Sequence, residues 1–220
     1  MSNNATYHFA RIHFDLSIFA AMKNHFVLGI AMLLSLMASA QTTVKVMSYN
    51  VLNFPTGEIP NREDSLKTIL NFVEPDLLLL QELKTAEGLA DIASVSFEDF
   101  DDVYQASTFI PQVSNPNTSW PLQQGIVFNT RVFGLAEESV VTSTYRDFNR
   151  FKLYFNDEAL ENGADTTFLY VYVTHLKSSQ GADNEQLRLE MVEDFVAHLE
   201  SMPSDAMVLL GGDFNLYDSA

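Results

Sequence analysis

The stretch Pro75-Asp76-Leu77-Leu78-Leu79-Leu80-Gln81-Glu82 constrains the fold more than any other part of the chain. Side chains along a strand alternate between the two faces of a sheet. An unbroken apolar run of strand length, bounded by Pro75 and by a charge, therefore predicts a strand covered on both faces, one layer inside others. Phe168 to His175 gives the strongest strand signal, aromatic and β-branched throughout, and it ends on a histidine. Val44 to Val51 also reads as a strand, with Asn50 at its far end. A fourth apolar run, Met207-Val208-Leu209-Leu210, stops at Gly211-Gly212 and delivers Asp213 and Asn215. Glycine costs conformational entropy and Asp and Asn are depleted in strands, so this ending requires a close backbone approach and two polar side chains on one face.

Helical spacing of Leu66, Ile69, Leu70 and Val73 predicts a helix over 61–73, with Asn61 as N-cap and Pro75 beyond its end. Thr85 to Val95 reads as a weaker helix. Leu187, Met191, Phe195 and Leu199 predict a long one from Asn184 to Glu200. Further strands are expected over Val103–Thr108, Gly125–Asn129, Val132–Val141, Phe151–Phe155 and Ala206–Leu210. The proline-rich stretch 111–121 with Trp120 reads as a long surface loop on the substrate side. Interspersed strands and helices without internal repeats indicate a sheet-centred α/β or α+β domain.

The formal charge is −17, from 12 basic and 29 acidic residues. A surface of that sign repels polyanions and argues against a purely electrostatic nucleic-acid binder, though an enzyme bridging to phosphate through a divalent cation remains compatible. There is no cysteine, which excludes disulfides, thiolate metal sites and cysteine nucleophiles. Met22 to His25 is a short basic segment, Phe26 to Met37 is apolar, and Ala38-Ser39-Ala40 has the small residues of a cleavage site. The expectation is a signal peptide over 22–40, a mature chain from Gln41, secretion to the periplasm or the medium, and no stable membrane anchor. Residues 1–21 fit an upstream start artefact, with the functional domain spanning 41–220. Oligomeric state is not legible.

Asn50, Glu82, His175 and Asp213 all stand where a hydrophobic strand enters a loop, the place where ligands collect in layered α/β proteins. A carboxylate and an amide oxygen are hard ligands. They suit Mg²⁺, with Mn²⁺ or Ca²⁺ as alternatives, and they do not suit zinc. Asp213 can orient or deprotonate a water, Asn215 can donate to a phosphoryl oxygen or the nucleophile, and His175 can donate to the same phosphate. Together these residue types describe metal-assisted phosphoester hydrolysis.

Met47-Ser48-Tyr49-Asn50-Val51, Pro75 to Glu82, Val173-Thr174-His175-Leu176-Lys177 and Gly211-Gly212-Asp213-Phe214-Asn215 resemble, in order, four motifs of the endonuclease/exonuclease/phosphatase superfamily. Its members include pancreatic-type deoxyribonucleases, abasic-site endonucleases, sphingomyelinases and inositol-polyphosphate phosphatases. The resemblance covers about residues 44–218. It implies a four-layer α/β/β/α sandwich and a divalent-metal hydrolase of phosphoesters. Asn50 and Glu82 would bind the metal, His175 would contact the phosphate, and Asp213 and Asn215 would position the attacking water. Gly125 to Asn129 and Arg150 resemble family positions less specifically, with Arg150 as a candidate substrate contact.

One departure stands out. The family carries a Ser-Asp-His-like motif beyond Gly-Asp-x-Asn, and no histidine follows Asp213 here. The sandwich is expected to be incomplete at its C-terminal side, and residues 1–220 alone are expected to show severely reduced or no activity. A non-catalytic remnant or binding module is the alternative to a secreted phosphoester hydrolase. Substrate candidates are a nucleic acid, a phospholipid or a small phosphate ester, and the acidic charge leans toward the last two. Each residue also has a plainer role open to it. Asn50 can cap a turn, Glu82 can be a solvated charge, His175 a satisfied buried histidine, and Asp213 and Asn215 an Asx turn. Arg150 can equally be a surface charge, and His198 lies off the apolar stripe of its helix.

Overall fold

The computed structural model describes residues 43–57, 59–156 and 165–217. The expected signal peptide and the upstream segment lie outside these residues. The elements are β1 (Val46–Phe54), α1 (Arg62–Val73), β2 (Leu77–Leu83), α2 (Ala86–Asp91), a π-helical turn (Ile92–Ser96), β3 (Tyr104–Ala106), β4 (Gln123–Asn129), β5 (Phe133–Val141), β6 (Phe148–Phe155), β7 (Phe168–His175), α3 (Ala182–Glu200) and β8 (Met207–Asp213). They form two four-stranded sheets, ordered β1-β2-β4-β3 and β5-β6-β7-β8. Both sheets are mixed. β1/β2 and β7/β8 are parallel, and the remaining pairs are antiparallel.

The leucine run behaves as its pattern demands, since every residue of β2 is buried. Leu78 and Leu80 face outward and pack with Leu66 and Leu70 of α1 and Leu89 of α2. Leu77 and Leu79 face inward and pack with Ile126, Phe128, Phe151, Val171 and Val173, so the core between the sheets draws on both. On the far face of the second sheet, Phe148 and Tyr172 pack against Met191 and Phe195 of α3. Helix, sheet, sheet and helix thus stack as four layers, the α/β/β/α sandwich. Burying each large side chain contributes roughly 1.5–3 kcal/mol, so the cluster under the first helices and the one between the sheets both stabilise this arrangement.

Several boundaries differ from the sequence reading, each for a local reason. Asn61 precedes α1 in a left-handed conformation and makes no side-chain cap, whereas Thr85 caps α2 by accepting from the Gly88 amide. The helix expected over 85–95 changes to a π-helical turn at Ile92, which buries Ile92 and Ser96. The last strand runs through the glycines to Asp213 instead of stopping at Leu210. It can do so because Gly211 packs directly onto the facing sheet: a Cβ there would lie 2.4 Å from Leu79 Cδ1.

Candidate active site

The space between the sheets changes character along its length. One end is filled by Leu77, Phe128 and Leu153. At the other, strand alternation brings Ser48, Asn50, Gln81 and Gln124 of the first sheet into the slot, with Asn149, His175 and Asp213 of the second. Parallel pairing sets His175 beside Asp213. In the first sheet the register shifts between Gln81 and Leu83, and Glu82 takes a φ of 64°. Bulges of this kind re-aim a side chain. Here the shift turns Glu82 toward the same point, although its neighbour Gln81 already faces the slot. Leu52, Asn53 and Asn215 also carry φ values of 45°, 55° and 47°. Left-handed backbone at residues other than glycine costs on the order of 1–3 kcal/mol each, and such strain concentrates at working sites.

Asn50 joins the two sheets. Its Nδ2 donates to Glu82 Oε1 at 2.9 Å and to Asp213 Oδ2 at 2.9 Å, while its Oδ1 accepts from the Leu52 amide. Glu82 Oε2 accepts from the Asn53 amide at 3.2 Å. His175 Nε2 lies 3.8 Å from both Glu82 Oε1 and Asp213 Oδ2. These are not ion pairs at neutral pH. Burial first, then the Arg146 charge, push the imidazole down to about 4, against the pull of Glu82 and Asp213. Glu82, His175 and Asp213 each offer a ligand atom within 4.8 Å of the others. Two carboxylates converge there with only a neutral imidazole and amide N–H groups at hand. That donor set fits a hard divalent cation.

The expected residues are not all brought together. Asn50, Glu82, His175 and Asp213 meet at one point. Asn215 lies on the rim and its amide is engaged elsewhere: Nδ2 donates to the Leu176 carbonyl and Oδ1 accepts from Tyr217. Its backbone N–H nonetheless donates to Asp213 Oδ1, so it orients that carboxylate. Arg150 is not part of the group. Its guanidinium donates to Glu137 at 2.5 Å and lies 5.6 Å from the Tyr170 ring. It shares the outer face with its strand partner Tyr172, which packs under α3. His198 meets the Tyr172 hydroxyl at 2.9 Å, a packing contact. An open cleft of about 520 Å³ runs from Ser48, Asn50 and Gln81 to Gly212, Asp213, Asn215 and Tyr217.

Two contributors were not legible in the sequence. Arg146 is 8% exposed, and its Nη1 donates to the carbonyls of His175 and Leu176. It fixes the end of β7, and its charge adds to burial in keeping His175 neutral. Asp147, 2% exposed, accepts from the amides of Val113 and Ser114 and so pins the 111–121 loop beside the site. Both lie in the connection between β5 and β6, and neither has a local sequence signal. Trp120 in that loop donates through Nε1 to Asn53 Oδ1, and the Lys84 ammonium sits 4.4 Å from its ring centre.

No family model matches the chain, and no curated protein matches it either. Solved structures do. A humanized D. rerio TDP2 carrying 14 mutations superposes with a TM-score of 0.57 at 21% identity, over 80% of this chain and 67% of that one. The human Nocturnin catalytic domain with a bound sulfate anion gives 0.54 at 19%, over 79% and 65%. TDP2 and Nocturnin are both members of the endonuclease/exonuclease/phosphatase superfamily. The chain has that superfamily's fold. A further member, ANGEL2, described as a 2′,3′-cyclic phosphatase in complex with adenosine-2′,3′-vanadate, superposes at 0.52 and 19%, over 78% and 53%. The chain spans about half to two thirds of the length of these structures.

Proposed function

We propose that the protein is a divalent-cation-dependent phosphoester hydrolase. The observation that carries this reading is the convergence of Glu82, Asp213 and a neutral His175 within 4.8 Å on the superfamily's fold. Oxyanion ligands in the related structures, sulfate in one and a vanadate nucleotide in another, support a phosphoester as the substrate class. Glu82 and Asn50 would hold the cation, with Mg²⁺ as the proposed ion and Mn²⁺ or Ca²⁺ as replacements. Bound there, the cation supplies charge neutralisation at the phosphoryl oxygens and acidifies a water. Asp213, oriented by the Asn50 amide and the Asn215 backbone N–H, accepts the proton of the attacking water. His175 stays neutral and donates one hydrogen bond to the phosphoryl group. Export rests on the 22–40 pattern, and a mature N-terminus at Gln41 in the secreted fraction tests it.

Bis-p-nitrophenyl phosphate, single-stranded DNA and sphingomyelin, each with Mg²⁺ and with chelator, test the activity. The expected result is hydrolysis of at least one, abolished by chelation and by Glu82→Ala. Hydrolysis surviving both would overturn the reading. A binding module is the second reading, favoured by the engagement of the Asn215 amide with Leu176 and Tyr217. It predicts cation and oxyanion binding with no turnover of any of the three.

A further inference from the structure

We propose that Asn149 is a positioning residue of this site, holding a phosphoryl oxygen beside His175. The inference rests on the phosphoester reading above. Asn149 is 1% exposed, and neither its Oδ1 nor its Nδ2 has a hydrogen-bond partner. Buried amides are almost always paired, because an unpaired one forfeits its hydration without return. The polar side chains nearby meet this demand within the protein. Gln81 bonds to Ser48 and to the Leu79 carbonyl, and Asp147 is satisfied by Val113 and Ser114. His175 Nδ1 is the other exception in the slot, buried and without a partner.

The two exceptions are neighbours. Asn149 pairs with Val173 across β6 and β7, and Val173 belongs to the inter-sheet core, so Asn149 faces the slot. His175 lies two residues further along β7 on the same face. Diagonal positions of this kind hold their Cα atoms about 7–8 Å apart, within bridging distance of one small ligand. Arg150 Nε also lacks a partner, but that side chain faces α3 and is paired with Glu137. An amide offers two N–H donors to an anion and adds no charge. Beside a neutral imidazole, and with the cation held by Glu82, that is a receptor for a phosphoryl oxygen. A buried water would satisfy the same atoms, so the experiment has to separate the two.

Asn149→Leu keeps the γ-branched shape and replaces both polar atoms with larger methyl groups. Inorganic phosphate is titrated calorimetrically into wild type and variant at saturating Mn²⁺. Mn²⁺ affinity and ligand-free Tm are measured on both. The expected result is phosphate binding weakened roughly 10-fold or more with Mn²⁺ affinity unchanged, and a Tm that shows the variant folded at the titration temperature. Unchanged phosphate affinity overturns the proposal, because an amide that only bridges to a structural water would not touch the ligand. The side-chain ¹⁵N–¹H₂ resonances of Asn149 in the wild type, assigned by their loss in the variant, should move on adding phosphate. If they stay fixed, the proposal also fails. A wild type that binds no phosphate with Mn²⁺ present overturns the phosphoester reading and this inference together. Wild-type binding untouched by Asn149→Leu overturns this inference alone.

Discussion

His175 sets how the site responds to acid. Its pKa falls from 6.5 to about 4 in the fold. Above pH 6.5 it is neutral in both the folded and the unfolded chain and contributes no pH dependence. Between pH 6.5 and about 4 the unfolded chain binds the proton and the folded one does not, so stability falls as pH drops through that window. Urea denaturation of the cation-free protein should show this loss, and His175→Phe should flatten it. An unchanged slope would contradict the assignment. Gly212 has a φ of 152°, and a Cβ there would lie 1.9 Å from the Thr174 carbonyl oxygen. The Thr174 backbone cannot yield, so Gly212→Ala is expected to cost more than about 2 kcal/mol in denaturant melts, where an unstrained glycine replacement would stabilise by roughly 0.4–1 kcal/mol. At this scale the sequence was readable where a polar residue ends an apolar strand, as at Asn50, Glu82, His175 and Asp213. It was not readable at Arg146, whose contacts are with residues distant in sequence, or at Asn149, whose inward aim is set by strand pairing. Asn149 and Arg150 show the limit sharply. Adjacent residues on a strand face opposite ways, and the inward one is the asparagine.

Elements place these residues through pairing and clamps. Core strands were legible because β2 and β7 are apolar beyond what any solvated face tolerates. Their ends were harder to set, since Leu79 and Thr174 crowd β8 from the facing sheet and from β7, and the strand passes there only because Gly211 and Gly212 carry no Cβ. The bulge that aims Glu82 has no sequence signature of its own. Asp147 ties the loop before β4 to the start of β6 through two backbone amides. Asp147→Ala should leave those amides unpaired and free the loop, at about 1–3 kcal/mol and with faster proteolysis within 107–122. Protection equal to that of wild type would show that the clamp carries no weight. Leu70, fully buried between α1 and the first sheet, should cost about 2–5 kcal/mol on truncation to Ala.

At the scale of the whole molecule, four layers put the carboxyl ends of β2, β7 and β8 at one mouth. Among the described residues β8 pairs only with β7, and it exposes Met207 and Val208, at 47% and 40%. An open apolar edge invites strand pairing between copies. Val208→Lys should therefore lower light scattering at high concentration without changing the far-UV spectrum, and equal scattering would remove the edge from consideration. The layered class and the four-motif site followed from the leucine run and the strand ends. The order of strands within each sheet did not, because pairing across loops leaves no local trace. The central claim is that Glu82 holds one divalent cation beside Asp213 and His175, and Mn²⁺ titration followed by electron paramagnetic resonance tests it most directly. The predicted result is one bound ion per chain, lost in the isosteric Glu82→Gln and displaced by Mg²⁺. Absence of binding at millimolar Mn²⁺, or binding that Glu82→Gln leaves intact, would contradict it.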